Sequence, residues 1–168
     1  MAELYAVGIT SIKIGAIAGD GGMGTSLTSL GSTFEGTVNF EQDDAAVTEF
    51  YSEEADDPIY QSKKAGLKKF NWAIVDWTPE NMVRVFGGTV TGSGASAVWH
   101  SPSTLPTIEM SVEIITTSLT KYEITRASLV AKISASLGRS SMGQMPIIAT
   151  VLAPTKGGEA AVRVTKST

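Results

Sequence analysis

A mainly β protein in one domain is what this sequence predicts, and two observations carry the prediction. The charged share is low, 18%, beside 17 glycines and a high Ser and Thr content, a composition that favours strands and turns over helices. Apolar residues also recur at every second position in several stretches, which is the period of a strand with one buried face. At 168 residues the chain is long enough to bury roughly 70% of the surface that its unfolded form exposes. No linker, internal repeat or low-complexity run divides it, so residues 1–168 are read as a single domain.

From Thr10 to Ala18, Ile12, Ile14, Ala16 and Ala18 share one face of a predicted strand, and a glycine-rich turn, Gly19 to Gly24, ends it. Phe34, Gly36, Val38 and Phe40 alternate with Glu35, Thr37 and Asn39, a second strand with one wet face. Val47 to Ser52 is β-branched and aromatic and extends again. Between Leu67 and Trp77, Phe70, Trp72 and Ile74 fall on one face and Ala73, Val75 and Trp77 on the other, which predicts a core strand covered on both sides. Thr78-Pro79-Glu80 supplies an N-cap, a Pro at the first helical position and an early acid, and Gly87-Gly88 closes a helix of about two turns. Ala97 to Trp99 follows a Gly/Ser stretch. Ile108, Met110, Val112 and Ile114 then alternate with Glu109, Ser111 and Glu113 in another strand. Leu119 to Leu137 fits both periods, since Leu129, Ile133 and Leu137 are also spaced as on a helix; its Thr, Ile and Val content favours strands. Met145 to Ala153 reads as a buried strand, and Ala161, Val162 and Val164 as a terminal segment that pairs at an edge or frays.

Charge is segregated along the chain. Eight of the seventeen acidic residues, Glu41, Asp43, Asp44, Glu49, Glu53, Glu54, Asp56 and Asp57, fall between positions 41 and 57 with no basic residue among them, and Lys63, Lys64, Lys68 and Lys69 follow. Such a block repels itself in an isolated monomer, and a partner surface relieves that repulsion. With a four-lysine block so close, copies of the same chain meeting head to tail, acid against base, is an economical reading. The net charge of -4 and pI near 5.0 argue against a protein that grips nucleic acid, because gripping phosphates takes clustered Lys and Arg. The chain has no cysteine, which removes disulfides, thiolate metal sites and a Cys nucleophile. Its start, Met1 to Tyr5, carries an acid where a secretion signal places a base, and no run approaches the roughly 20 apolar residues of a membrane span. A soluble cytoplasmic protein is expected.

Sites for chemistry are weak. Gly19-x-Gly21-x-x-Gly24 matches the dinucleotide fingerprint, but the residues after it lack helical drive and the βαβ spacing, so a plain glycine turn is the better reading. His100, the one histidine, has no orienting acid or nucleophile at a recognisable spacing and reads as a loop histidine. The carboxylates lack the regular Asp-x-Asp-x-Asp-Gly spacing of a Ca²⁺ loop. Trp72, Trp77 and Trp99 suggest a sugar-stacking platform, against which Trp72 lies on a strand that looks covered. No catalytic residue, cofactor or metal is expected.

The segments Gly36 to Asp44, Val47 to Glu54, Asp57-Pro58 and Thr78 to Gly88, in that order, resemble the phage tail tube (major tail) proteins: a strand leading into an acidic stretch, a returning strand, and a short Pro-capped helix ending in Gly-Gly. The likeness is clearest over residues 33 to 92. It implies two packed, roughly orthogonal antiparallel sheets with one short flanking helix. It further implies six copies closing into a ring, and rings stacking into the tail tube of a virion assembled in the host cytoplasm. Its partners would be further copies and other tail proteins, with DNA as transient cargo, no specific DNA binding and no membrane. On this reading the acidic segment faces either a neighbouring subunit or the lumen, the four lysines face a neighbouring subunit, and reversing them to Glu blocks stacking. A monomeric β-sandwich module binding carbohydrate or Ca²⁺ is the alternative.

Overall fold

The structure of the protein, a computed structural model, describes residues 3–167. It is mainly β, as the composition predicts. Along the chain run β1 (Ser11–Gly15), β2 (Thr28–Ser29), β3 (Asn39–Gln42), β4 (Ala46–Phe50), β5 (Tyr60–Lys64), β6 (Lys68–Ile74), α1 (Pro79–Phe86), β7 (Thr89–Thr91), β8 (Val98–His100), β9 (Ile108–Ile115), β10 (Thr120–Ala131), β11 (Met145–Val151) and β12 (Val162–Lys166). Eight strands form one antiparallel sheet in the order β2-β1-β9-β10-β11-β6-β3, with β12 also on β10; β4 with β5 and β7 with β8 make separate hairpins.

The two layers of the sandwich are halves of that one sheet, and β10 belongs to both. Against β9 its register slips between Ile124 and Ala127, so β10 spends one residue more than its partner, the mark of a bulge that bends and twists a strand. Before the bulge β10 pairs with β12; after it, on the same side, with β11. The halves close on each other, and Phe40 on β3 meets Tyr122 on the first part of β10 at 5.9 Å between ring centroids. Between them lies the core: Ile12, Ile14, Val112, Ile114 and Ile124 from one layer, Phe70, Trp72, Ile74, Leu129, Ile147 and Ala149 from the other. Each large side chain buried there is worth about 1.5–3 kcal/mol of transfer free energy.

Helix α1 closes one flank. Met82 and Val85 enter the core, and residues beside them on the helix are tied to backbone: buried Asn81 Nδ2 donates to the Leu30 carbonyl at 3.0 Å, and Arg84 donates to the carbonyls of Ile14, Thr28 and Ser29 at 2.8–3.0 Å. Burial away from water lowers the Arg84 pKa. Thr78 stands at the N-cap position as predicted, but its side chain makes no capping bond, and Gly87 ends the helix at φ 73°.

Several expected elements differ in detail. The strand expected over 34–40 regularises only from Asn39, because Gly36 at φ 74° turns the chain and Thr37 bonds back to the Phe34 carbonyl. The β6 strand buries Phe70, Trp72 and Ile74 on one face; on the other, Ala73 is buried as expected but Lys69 and Asn71 stay partly exposed, and Val75 and Trp77 lie past the strand's end. The ambiguous 119–137 segment is one long strand to Ala131. β2, β5 and β7 were not expected, and the terminal segment does pair at an edge, as β12.

Candidate functional site

Residues 43–67 leave the body as an arm. Antiparallel β4 and β5 pair from Ala46 opposite Lys64 to Phe50 opposite Tyr60, and every residue of both strands is exposed. Five such pairs reach about 17 Å. At the base, the Asp43 amide donates to the Leu67 carbonyl at 2.8 Å. Gly66 passes so near that an added Cβ would stand 1.8 Å from the Asp43 carbonyl oxygen. Only a glycine lets the two chains approach this closely.

The arm carries most of the predicted charge, and the structure divides it. Glu41, Asp43 and Asp44 stand at the base. There Glu41 accepts from the side-chain amides of Asn39 and Asn71, each at 3.1 Å, and Asp43 pairs with Lys69 at 2.9 Å. Lys69 is thus engaged within its own chain, and Lys68 stands opposite Gln42 in the β3–β6 register. Lys63 and Lys64 lie on the stem of the arm, opposite Val47 and Ala46. Midway, Glu49 accepts from Tyr51 Oη at 2.6 Å and Gln61 Nε2 at 3.0 Å. The bond to Glu49 holds the Tyr51 phenol protonated to higher pH than usual. At the tip, Glu53, Glu54, Asp56 and Asp57 are exposed, and none makes an ion pair among the described residues.

Apolar side chains that the acidic pattern hides accompany this charge. Phe50 and Tyr60 pack across the pair with their rings tilted by 37°, 5.8 Å between centroids, and Tyr51 and Ile59 continue on the other face; Ile59 is 66% exposed and Tyr60 64%. An isolated two-stranded hairpin is marginal in water, and this one has two unpaired edges and apolar groups on both faces. The signal for it was in the sequence: two β-prone runs, 46–51 and 59–62, flank a turn-forming acidic stretch with a Pro at position 58.

The motifs weighed earlier resolve into structure. The Gly19–Gly24 turn is a clasp: the Asp20 carboxylate accepts from the Gly22 amide and pairs with Lys156 at 2.8 Å, and the Gly24 amide donates to Ser111 Oγ. His100 lies in strand β8, not a loop, and shares a 3.0 Å hydrogen bond with Thr91. Trp72 is buried, Trp99 packs on Phe86 and donates to the Gly87 carbonyl, and Trp77 donates to the Gly143 carbonyl. Among the described residues no three His, Cys, Asp or Glu side chains are grouped to hold a metal ion, and no helix is long and apolar enough to cross a membrane. A cleft of about 880 Å³ opens between the layers beside Phe40 and Tyr122; Glu35 is its one carboxylate.

No protein-family model and no curated protein matches the chain.

Proposed function

We propose that this is a structural, self-assembling protein whose copies close into rings, six to a ring by the family resemblance, and stack into the tube of a phage tail, the conduit for DNA. The observation that carries the reading is the arm. A two-stranded projection, wet on both faces, with unpaired carboxylates at its tip and apolar side chains behind them, is half of a contact and gains stability when the other half arrives. An overall acidic chain suits a conduit as well, because a wall that bound phosphates tightly would stall the DNA.

Electron microscopy of the purified protein in negative stain tests the reading. Rings or tubes are expected at high concentration in low salt. A protein that stays monomeric across concentration and salt would overturn it.

A further inference from the structure

We propose that the acidic tip of the arm docks on the β10–β11 hairpin, residues 132–144, of a second copy of this chain. The inference rests on the self-assembly reading and names the surface that receives the arm.

Accounting for the cations narrows the choice. Of the thirteen Lys and Arg, Lys13, Lys69, Lys121, Arg126, Lys156 and Arg163 are held by carboxylates of their own chain, and Arg84 by backbone carbonyls. That leaves Lys63, Lys64 and Lys68 around the stem of the arm, Lys132 and Arg139 on the β10–β11 hairpin, and Lys166 on β12, none in an ion pair among the described residues.

Symmetry then separates the two groups of more than one. Two arms lying antiparallel, each tip on the other's stem, form an isologous contact that stops at a dimer, whereas a receptor surface away from the arm leaves no such closed pairing and lets an assembly grow.

The β10–β11 hairpin is such a surface. Beyond Ala131 the two strands continue as a ladder, with Ser134 and Gln144 exchanging backbone hydrogen bonds at 2.8–3.0 Å and a tight turn from Gly138 to Ser141. From Ile124 to Gly158 the sequence has no acidic residue. Leu137 is 86% exposed, with Ile133 and Met142 also out in solvent, so the hairpin offers what the tip lacks: positive charge beside apolar surface. A shallow, open cleft of about 590 Å³ lies between the hairpin and Phe34, bordered by Arg139 and Met142 and otherwise lined by serines and Gln144. Glu35 follows Phe34 in the chain and makes no ion pair with Arg139.

Placement agrees with chemistry. The arm leaves the sheet where Gln42 faces Lys68, and the hairpin leaves it where Met145 faces Ile74, at the other end of the same strand β6. Donor and receptor therefore point away from each other along one strand direction, which is the geometry of a head-to-tail contact.

The test compares full-length chains by sedimentation and microscopy. K132E/R139E is expected to raise the concentration needed for assembly about tenfold or more, K63E/K64E/K68E to leave it near that of the wild type, and E53K/E54K/D56K/D57K placed in the K132E/R139E chain to restore assembly. Because the chain has no cysteine, mixing single-cysteine E54C and R139C chains gives a second readout, a mixed disulfide formed in preference to either homodimer. Wild-type assembly left unchanged by K132E/R139E, or an E54C chain that crosslinks to a K64C chain instead, would overturn this contact while leaving self-assembly standing. A wild-type chain that never assembles would overturn the reading beneath it.

Discussion

Arg126 sits inside the β10 bulge and fastens it sideways. Its Nε and one Nη donate to the two carboxylate oxygens of Glu109 at 2.8 and 2.9 Å, and the other Nη to the Ala153 carbonyl at 3.2 Å. Those bonds, more than its charge, hold the Glu109 carboxyl below the usual carboxylate range, and the Lys156 bond does the same for Asp20. Both groups release protons more readily folded than unfolded. Their stabilising effect is therefore present above the ordinary carboxylate pKa, about 4, and drains as pH falls through the lower folded value. Lys156, whose pKa is raised chiefly by the same bond, stabilises below the ordinary lysine value and loses that effect as pH climbs through the folded one. An E109Q variant should melt below the wild type near neutrality, with the gap narrowing as the pH drops from about 4 to about 2. Melting curves that stay parallel over that range would show that the pair does not couple to folding. The sequence marked Phe70, Trp72 and Ile74 as core, because burial leaves a periodic trace. It gave no hint of Arg84, whose partners are carbonyl oxygens that every residue possesses.

Strands with one buried face were the legible ones. β1 and β9 alternate because one side of each meets the core, whereas the segment from 119 to 137 looked partly helical because Leu129, Ile133 and Leu137 recur every four residues, of which only Leu129 is buried and the other two lie exposed beyond the strand. β5 went unseen for the opposite reason: with no buried face, Tyr60-Gln61-Ser62-Lys63-Lys64 has no period to show. The same fact gives the arm a testable independence, since no side chain from 43 to 67 belongs to the core. Replacing residues 46–64 with a short Gly/Ser turn should leave the melting temperature within a few degrees of the wild type, because residues outside the core contribute little to stability, and should abolish assembly. A shortened chain that unfolds would show that the arm is a part of the fold; one that assembles normally would remove it from the contact.

For the protein as a body, charge is arranged in zones. Across the outer face of the first layer, Lys13, Glu113, Glu123 and Arg163 stand in one row over four neighbouring strands and neutralise one another at 3.2–3.6 Å. This face asks for no partner. Among the described residues, charge outside ion pairs stands instead at the arm tip, acidic, at the far hairpin, basic, and at the stem of the arm, where Lys63, Lys64 and Lys68 lie. Assembly driven by the tip and the hairpin must weaken as salt rises and the screening length shrinks from about 10 Å at 0.1 M to about 3 Å at 1 M. Light scattering across that range should show the threshold concentration climbing with salt. A threshold that falls instead would mean that apolar burial, strengthened by salt, governs the contact. This zoning was only half legible: the acidic run stands out in the sequence, whereas the basic hairpin emerges only once the ion pairs of the fold have claimed most other cations.

Because the arm and the β10–β11 hairpin lie at opposite ends of β6, any assembly joined through them has a direction. One terminus presents unoccupied arms and the other unoccupied hairpins, so the two can be started, extended or sealed only by chemically different neighbours. A factor that caps the arm end must be cationic with apolar side chains beside the charge, and one that caps the other must bring carboxylates. A fibre of this protein would thus carry, in the charge of its two extremities, the instruction for which way round it is to be built.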